Sequence, residues 1–305
     1  MSEEIQDPGL GLKFERVANR SINKDGSFNV KRVNFGYHFK NTYQSLIRMN
    51  WFLFFVVVTV FILGSNLLFA GAYFLAGRAE LSGLFSHNEW DHFLQCVYFS
   101  FQSFTTVGFG SISPVGHFSS IVSSIESVYG LISFAFITGL LYGRFSRPQA
   151  MFKYSKNALI APYKDGKSLQ FRFVNRRSSQ IIELSADVML SYNKKIGGSY
   201  ARKFSRLQLE IDSILFLPLN WTLVHPIDEK SPLYSLTQEE LVEGGAEIMI
   251  LIKGFDDTFS QIVHSRYSYT FDEVVWDAKF VKPYHVDENG EMVLDKDLVD
   301  EYEKV

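Results

Sequence analysis

From Met49 to Gly77 the chain carries no aspartate, glutamate, lysine or arginine, and its charged neighbours are Arg48 and Arg78. A helix of that length rises roughly 40 Å, more than the ~30 Å hydrocarbon core of a bilayer requires, which predicts a membrane span over 49–76. Trp51 and Tyr73 stand near its ends, where amphipathic aromatics favour the interface. A second apolar run begins at His117 and reaches Tyr142 with one acidic interruption, Glu126, predicting a span over 117–145. Between them lie a polar loop, 77–90, and an apolar, aromatic segment, 91–104. That segment is too short to cross, and it is expected to be a re-entrant helix packed inside protein. The whole-chain average hides this pattern: 305 residues with a net charge of -3 and a mean hydropathy of +0.01 read as an ordinary soluble protein.

The re-entrant helix delivers the chain into Phe104–Gly110, F-T-T-V-G-F-G. Gly108 and Gly110 alternate with larger residues, and glycine takes φ > 0 without a Cβ clash, so successive carbonyls can turn toward one axis. Rings of oxygens from Thr106, Val107, Gly108 and Phe109, with the Thr106 hydroxyl at the inner end, would replace the hydration shell of K⁺. The stretch 105–110 is therefore expected to be a selectivity filter, Gly110 closing it, and K⁺ is its transported ion and not a cofactor. A glycine turn between two helices is the alternative for these residues taken alone.

Residues 1–34 are polar with turn signals at Asp7-Pro8-Gly9 and Asp25-Gly26, and they read as an irregular cytoplasmic arm. Over 35–48, Phe35, Phe39, Tyr43, Leu46 and Ile47 recur at helical spacing, as in an amphipathic helix lying in the membrane interface or on a soluble domain. Lys31, Arg32, Lys40 and Arg48 precede the first span and Arg144, Arg147, Lys153 and Lys156 follow the second, whereas the loop between has only Arg78. That asymmetry predicts both termini on the cytoplasmic side.

After Pro148 the period becomes two. Strands are expected over 168–174, 181–192, 200–211, 222–225, 247–255 and 262–270, with turns at Lys164-Asp165-Gly166, Gly197-Gly198 and Asp256-Asp257. They imply a β-sandwich over 148–305. Thr237 and Glu240 stand at capping-box spacing and predict a short helix to Val242.

Several function classes find no support. The lone Cys96 forms no intrachain disulfide and belongs to no metal or thiol-enzyme pattern. No G-x-S-x-G, H-E-x-x-H or phosphate loop is present, so no enzyme is predicted, and a near-neutral chain gives no case for nucleic acid. The first fifty residues lack the basic and apolar regions of a cleaved signal peptide.

R-S-I-N-K-D-G-S-F-N (20–29), the filter, F-I-T-G-L-L-Y-G-R-F-S-R-P (136–148), F-K-Y-S-K-N-A-L-I (152–160) and H-P-I-D-E-K-S-P-L-Y (225–234) together resemble the inward-rectifier potassium channel family, most closely its prokaryotic branch. The resemblance implies a homotetramer, each subunit giving two spans and a pore helix to a pore domain over 49–147, above an immunoglobulin-like cytoplasmic domain. It also implies passive K⁺ conduction, block by barium and polyamines, regulation by anionic membrane lipids, and a bacterial plasma membrane.

Departures from the family pattern shape what is expected of single residues. Many members carry a glutamate at the place of Gln102, so Thr105, Gln102 and Glu126 are the candidate filter supports, Glu126 either as a protonated acid hydrogen-bonded to filter backbone or as an ion-attracting charge. Strong rectifiers carry an acid where this chain has Phe134, and another around 197–199, so polyamine rectification is expected to be weak. Ser127, Phe134, Thr138 and Tyr142 share one face of the second span, with Tyr142 at the family's inner constriction, as a gate or as bundle packing. Gly130 and Gly139 permit either bending or close packing. Arg48, Arg144, Arg147, Lys153 and Lys156 serve as anionic-lipid ligands or as a topology signal alone, and the sign of a lipid effect stays open. A poorly selective cation channel and a membrane-anchored scaffold are the competing functions.

Overall fold

The computed structural model describes residues 8–305 apart from 12, 15–19, 32, 34–39, 147–149 and 197–198. The start of the expected interfacial helix, Arg147, and the Gly197-Gly198 turn lie outside the described residues. The chain divides into two compact units, one of residues 34–147 and one of residues 1–33 with 148–305.

In chain order, a two-residue strand β1 (Lys13–Phe14) precedes helix α1 (Lys40–Arg48) and helix α2 (Trp51–Ala76). A short 3₁₀ turn and strand β2 (Leu81–Ser82) lead to α3 (Glu89–Phe104), and β3 (Ser113–Pro114) leads to α4 (His117–Phe145). The long helices are inside out by the standards of a water-soluble fold. α2 buries Ser65, Asn66 and Tyr73 while Phe52, Leu68 and Leu75 lie 78–85% exposed, and α4 buries Ser119, Glu126 and Ser133. Apolar side chains turned outward over helices long enough to cross are stable against lipid and not against water.

Helix termini are set by local chemistry. Asn50 caps α2 by accepting from the Phe52 amide at 2.9 Å, and Asn88 caps α3 by accepting from the Asp91 amide at 2.8 Å. At the head of α4, Glu80 takes the capping role from outside the helix. Its carboxylate accepts from the Ser119 amide at 3.1 Å, and it sits where a Cβ on Gly116 would stand, so a larger residue there would displace Glu80 from its capping position.

In the second unit, β1 with β8 (Ser199–Arg206), β7 (Ile181–Ile196), β11 (Glu247–Asp256) and β12 (Gln261–Thr270) form one sheet, joined by β9 (Ser213–Phe216). The other has β10 (Asn220–Ile227), β6 (Gly166–Asn175), β5 (Ala158–Tyr163) and β13 (Val274–Trp276), with β4 (Phe152–Tyr154) on β6. Inward-facing Phe171, Phe173 and Leu223 of the second sheet meet Val188, Leu190, Ile248, Ile250 and Ile252 of the first in one core. Helix α5 (Gln238–Glu243) carries the reciprocal Thr237–Glu240 capping box.

Two departures from the sequence reading have clear causes. The strand expected to run to residue 211 stops at Arg206. The Leu207 amide bonds Val188 and the Glu210 amide bonds Val224, so the chain leaves one sheet for the other there. Residues 20–29 are not irregular but fastened. The buried Glu247 carboxylate accepts from the Ser21 and Ile22 amides at 2.8 and 3.0 Å, Arg202 bonds the Ser21 hydroxyl at 2.5 Å, and Ser268 donates to the Ile22 carbonyl at 2.6 Å.

The C-terminal segment is held by a buried cation. Arg172 donates to the carbonyls of Val299 (3.0 Å), Val281 (2.5 Å), Leu298 (2.5 Å) and Glu301 (3.1 Å), and its guanidinium lies 4.3 Å from the Phe280 ring centre. Burial pushes its pKa down to about 10, opposed by Asp300, so it stays charged at neutral pH.

Candidate functional site

The chain leaves α3 by folding its amides back on the helix end. The amides of Thr105, Thr106, Val107 and Gly108 donate to the carbonyls of Phe101, Ser103, Gln102 and Gln102 at 3.0–3.3 Å, serving acceptors that the last helical turn leaves unpaired. The carbonyls of this segment are then free for the opposite side. Backbone angles alternate in hand: Thr105 is right-handed at φ -82°, while Thr106, Gly108 and Gly110 are left-handed at 58°, 52° and 78°. Alternation of that kind lines successive amides along one edge and successive carbonyls along the other.

The glycines make this conformation inexpensive at two of the three positions, and Thr106 is the exception. A β-branched residue at positive φ costs of order 1–3 kcal/mol, and surrounding contacts must hold it there. The Thr105 hydroxyl donates to Phe101 O at 2.6 Å immediately before it. All of 105–111 is exposed, Phe109 at 79%, and a Cβ on Gly108 or Gly110 would meet no described residue within 4 Å.

Behind the filter segment lies a buried polar cluster. Glu126, fully buried, takes the Tyr73 hydroxyl at 2.6 Å and meets the Ser100 hydroxyl at 2.5 Å, and Ser100 in turn reaches the backbone carbonyl and Oδ1 of Asn66 at 3.0 and 3.2 Å. Residues from α2, α3 and α4 thus share one hydrogen-bonded group. This corrects two expectations. Glu126 bonds the pore helix and first span, not filter backbone, because Ser100 and Tyr73 lie between. Tyr73 is not an interfacial anchor but a fully buried partner of that acid. Sequence reasoning passed over Asn66 and Ser100. Their one signal was polarity inside apolar helices, which also marks helix packing.

Gln102 sends its backbone carbonyl to the filter amides, while its side-chain Oε1 is buried with no partner among the described residues. On α4, Phe134 and Tyr142 are 72% and 73% exposed, and Thr138 between them is exposed. Ser127 departs from that stripe: half-buried, it donates to Ser123 O at 2.8 Å and approaches Ser103 O at 3.4 Å. Gly130 is a close-approach glycine and not a free hinge, since a Cβ there would lie 2.0 Å from Phe104 O, whereas a Cβ on Gly139 would meet no described residue within 4 Å.

A pore-loop backbone between two inside-out helices, joined to a β-sandwich, narrows the families that fit. The inward rectifier potassium channel C-terminal domain matches residues 152–305, and an ion channel domain matches 51–147. The chain belongs to the inward rectifier potassium channel family. It is 30% identical over 288 residues to the inward rectifier potassium channel Kirbac3.1 of Paramagnetospirillum magnetotacticum, covering 93% of this chain and 96% of that one. It is 28% identical to ATP-sensitive inward rectifier potassium channel 15 of Rattus norvegicus, covering 94% of this chain and 76% of the relative. With the human G protein-activated inward rectifier potassium channel 1 it shares 26% over 90% of this chain and 59% of the relative.

Within this inward-rectifier chain the basic residues expected to meet lipid divide sharply. The Arg144 guanidinium donates to the carbonyls of Leu46 (2.5 Å), Ile47 (3.1 Å) and Met49 (2.7 Å) at the end of α1, and it lies over the Trp51 and Phe54 rings at 4.4 and 4.5 Å. Lys153 donates to Lys296 O at 2.8 Å and pairs with Asp300 at 3.4 Å and Asp297 at 3.7 Å. Both charges therefore already have internal partners. Arg48 and Lys156 remain exposed.

Proposed function

We propose that four copies of this chain form a passive, K⁺-selective pore in a bacterial plasma membrane, with both termini cytoplasmic. The observation that carries this reading is the alternation of hand through Thr105–Gly110 with the amides tied back to α3. It leaves the carbonyls of Thr106, Val107, Gly108 and Phe109 on a segment that is exposed throughout. Three further copies would complete rings of oxygens able to replace the water shell of K⁺, and multiple occupancy lets ions leave again. No catalytic step is proposed.

The exposed stripe of Phe134, Thr138 and Tyr142 is read as the inner lining, with four Tyr142 rings narrowing the path until it dewets. Phe134 gives a polyamine no negative ring, so rectification is weak. Arg48 and Lys156, with Arg147, are the lipid-facing cations left after Arg144 and Lys153 are spent internally, each worth about 1 kcal/mol near an anionic surface. Movement of the cytoplasmic units against the inner helices would gate the pore.

A second reading, a poorly selective cation channel, is favoured by two features: Gln102 Oε1 is buried without a partner among the described residues, and Phe109 lacks a hydroxyl, so two polar contacts that stiffen a filter are missing. Purified protein in liposomes with a K⁺ gradient separates the two. Barium-sensitive flux that prefers K⁺ over Na⁺ supports the first, barium-insensitive flux of both ions the second, and no flux in neutral or anionic lipid removes both.

A further inference from the structure

The cluster behind the filter segment can be counted proton by proton. Ser100 Oγ faces three acceptors, namely Glu126 Oε1 at 2.5 Å, Asn66 O at 3.0 Å and Asn66 Oδ1 at 3.2 Å, and a serine hydroxyl owns one hydrogen. The orientation of the Asn66 amide is fixed by its other end, where Nδ2 donates to Ile62 O at 2.8 Å; turned over, it would set two acceptors against each other. Asn66 Oδ1 is therefore an acceptor in need of the Ser100 hydrogen. Tyr73 spends its own hydrogen on Glu126 Oε2 at 2.6 Å, and Ser103 hydrogen-bonds the Tyr73 hydroxyl from behind.

With Glu126 ionised, the Ser100 hydrogen goes to the carboxylate, and the Ser100–Asn66 contacts become oxygen facing oxygen with no proton between. A neutral Glu126 removes the conflict: its hydroxyl donates to Ser100 Oγ, Ser100 donates to Asn66, and Tyr73 donates to the acid's carbonyl. The single Ser100 hydrogen then lies between the two Asn66 oxygens, at 3.0 and 3.2 Å, and each of the other two contacts carries one hydrogen of its own. Among the described residues no lysine, arginine or histidine pairs with Glu126 to favour the ion. The groups facing it are Asn66 and Tyr73 from α2 and Ser100 from α3, with Cys96 and Ser103 of α3 close to Tyr73. Burying an unpaired carboxylate there would cost far more than burying a satisfied acid.

The geometry points to Glu126 as a neutral, proton-donating acid that ties the pore helix to both spans, a positioning residue for the filter and not a charge that attracts ions. This rests on the filter reading given above, but its chemistry is tested without ion flux. Infrared difference spectroscopy on the full-length protein in lipid vesicles at pH 7, wild type minus Glu126→Gln, reads the protonation state directly. The expected result is a carbonyl-stretch band of a protonated carboxylic acid present in wild type and absent in the variant, with no carboxylate band lost. Loss of a carboxylate band instead overturns the proposal.

Ser100→Ala provides a second, independent comparison should Glu126→Gln not fold. Removing the hydroxyl that receives the proton is expected to shift the acid band, and a band that does not move overturns donation to Ser100. A glutamine amide can give a hydrogen to Ser100 and take one from Tyr73. Glu126→Gln should thus keep the thermal midpoint within about 3 °C while Glu126→Ala lowers it by about 5 °C or more. Equal losses in the two variants contradict the assignment. A protein that shows the acid band but conducts no K⁺ would sink the channel reading alone, and a K⁺ channel without the band would sink this one alone.

Discussion

The filter segment and the C-terminal clasp both set backbone carbonyls around a positive charge, yet one chain completes only the second. Around Arg172, four carbonyls from 281–301 converge on a guanidinium that the same chain supplies, and the result is buried. Along Thr106–Phe109 the chain stays exposed. A clasp is finished by folding, whereas a filter is finished by assembly and by an ion. Left-handed non-glycine backbone also occurs at Lys164, Glu183, Ser260 and Asp277, but among the described residues its one β-branched case, Thr106, stands at the unfinished site, where bound K⁺ would offset its cost.

The largest effect that would sharpen this contrast is expected from Gly108→Ala. A Cβ would oppose the left-handed backbone at roughly 1 kcal/mol or more per subunit, repeated around the ring, so K⁺ selectivity or conduction should be lost while the assembly stays intact. Selective flux from that variant would dismiss the filter assignment. Arg172→Ala should do the reverse. Four carbonyls lose a donor that is itself buried, at roughly 3–5 kcal/mol, so the cytoplasmic unit should melt at lower temperature while K⁺ over Na⁺ preference is retained in the protein that remains folded. Lost selectivity with unchanged melting would join the two regions and break the comparison.

How far such sites are legible in sequence follows the same division. The filter, both spans and the pore helix could be read because each is local: a charge-free run, a glycine alternation, a segment too short to cross. Thr106 could not, since a β-branched residue gives no sign of positive φ until neighbouring amides are placed. Glu247, Arg172 and the Asn66–Ser100–Glu126–Tyr73 cluster escaped for another reason. Their partners lie tens to hundreds of residues away, and a lone polar residue in a strand or span says nothing of whom it will meet. Tyr73 was misread on that account, and the choice at Gly130 between bending and close packing stayed open because it depends on where Phe104 ends the pore helix.

Smaller effects probe the inner helix. Phe134→Asp places acids around a narrow cavity where field focusing is strong, although mutual repulsion should keep some protonated, so spermine from the cytoplasmic side should block about tenfold more tightly and more steeply with depolarisation. Unchanged block would show that Phe134 does not line the path and would require a new phase for α4. Tyr142→Ala leaves an aqueous gap where four rings narrow the pore, and single-channel records should show a severalfold higher open probability. An unchanged closed fraction moves the gate to the filter.

The smallest effect concerns the cytoplasmic unit and acid. His225 is buried, with Nδ1 on Gln208 O at 2.6 Å and Nε2 on Ser231 Oγ at 2.8 Å, and burial holds its pKa below the ordinary 6.5. The unfolded chain therefore binds this proton first as pH falls. Its contribution to stability should be full above about pH 6.5 and shrink below it, toward the depressed folded value. Thermal melts of wild type against His225→Gln between pH 7 and pH 5 test the sign, and a wild type that gains on the variant as pH falls would contradict it.

The central claim is that carbonyls left uncovered in one chain become a K⁺-selective ring in the assembly. Reversal potential in a planar bilayer, with K⁺ on one side and Na⁺ on the other at equal concentration, tests it most directly. A large potential of the sign that favours K⁺ is the predicted result, and barium should abolish the current. A reversal potential near zero, with current still flowing, would contradict the claim.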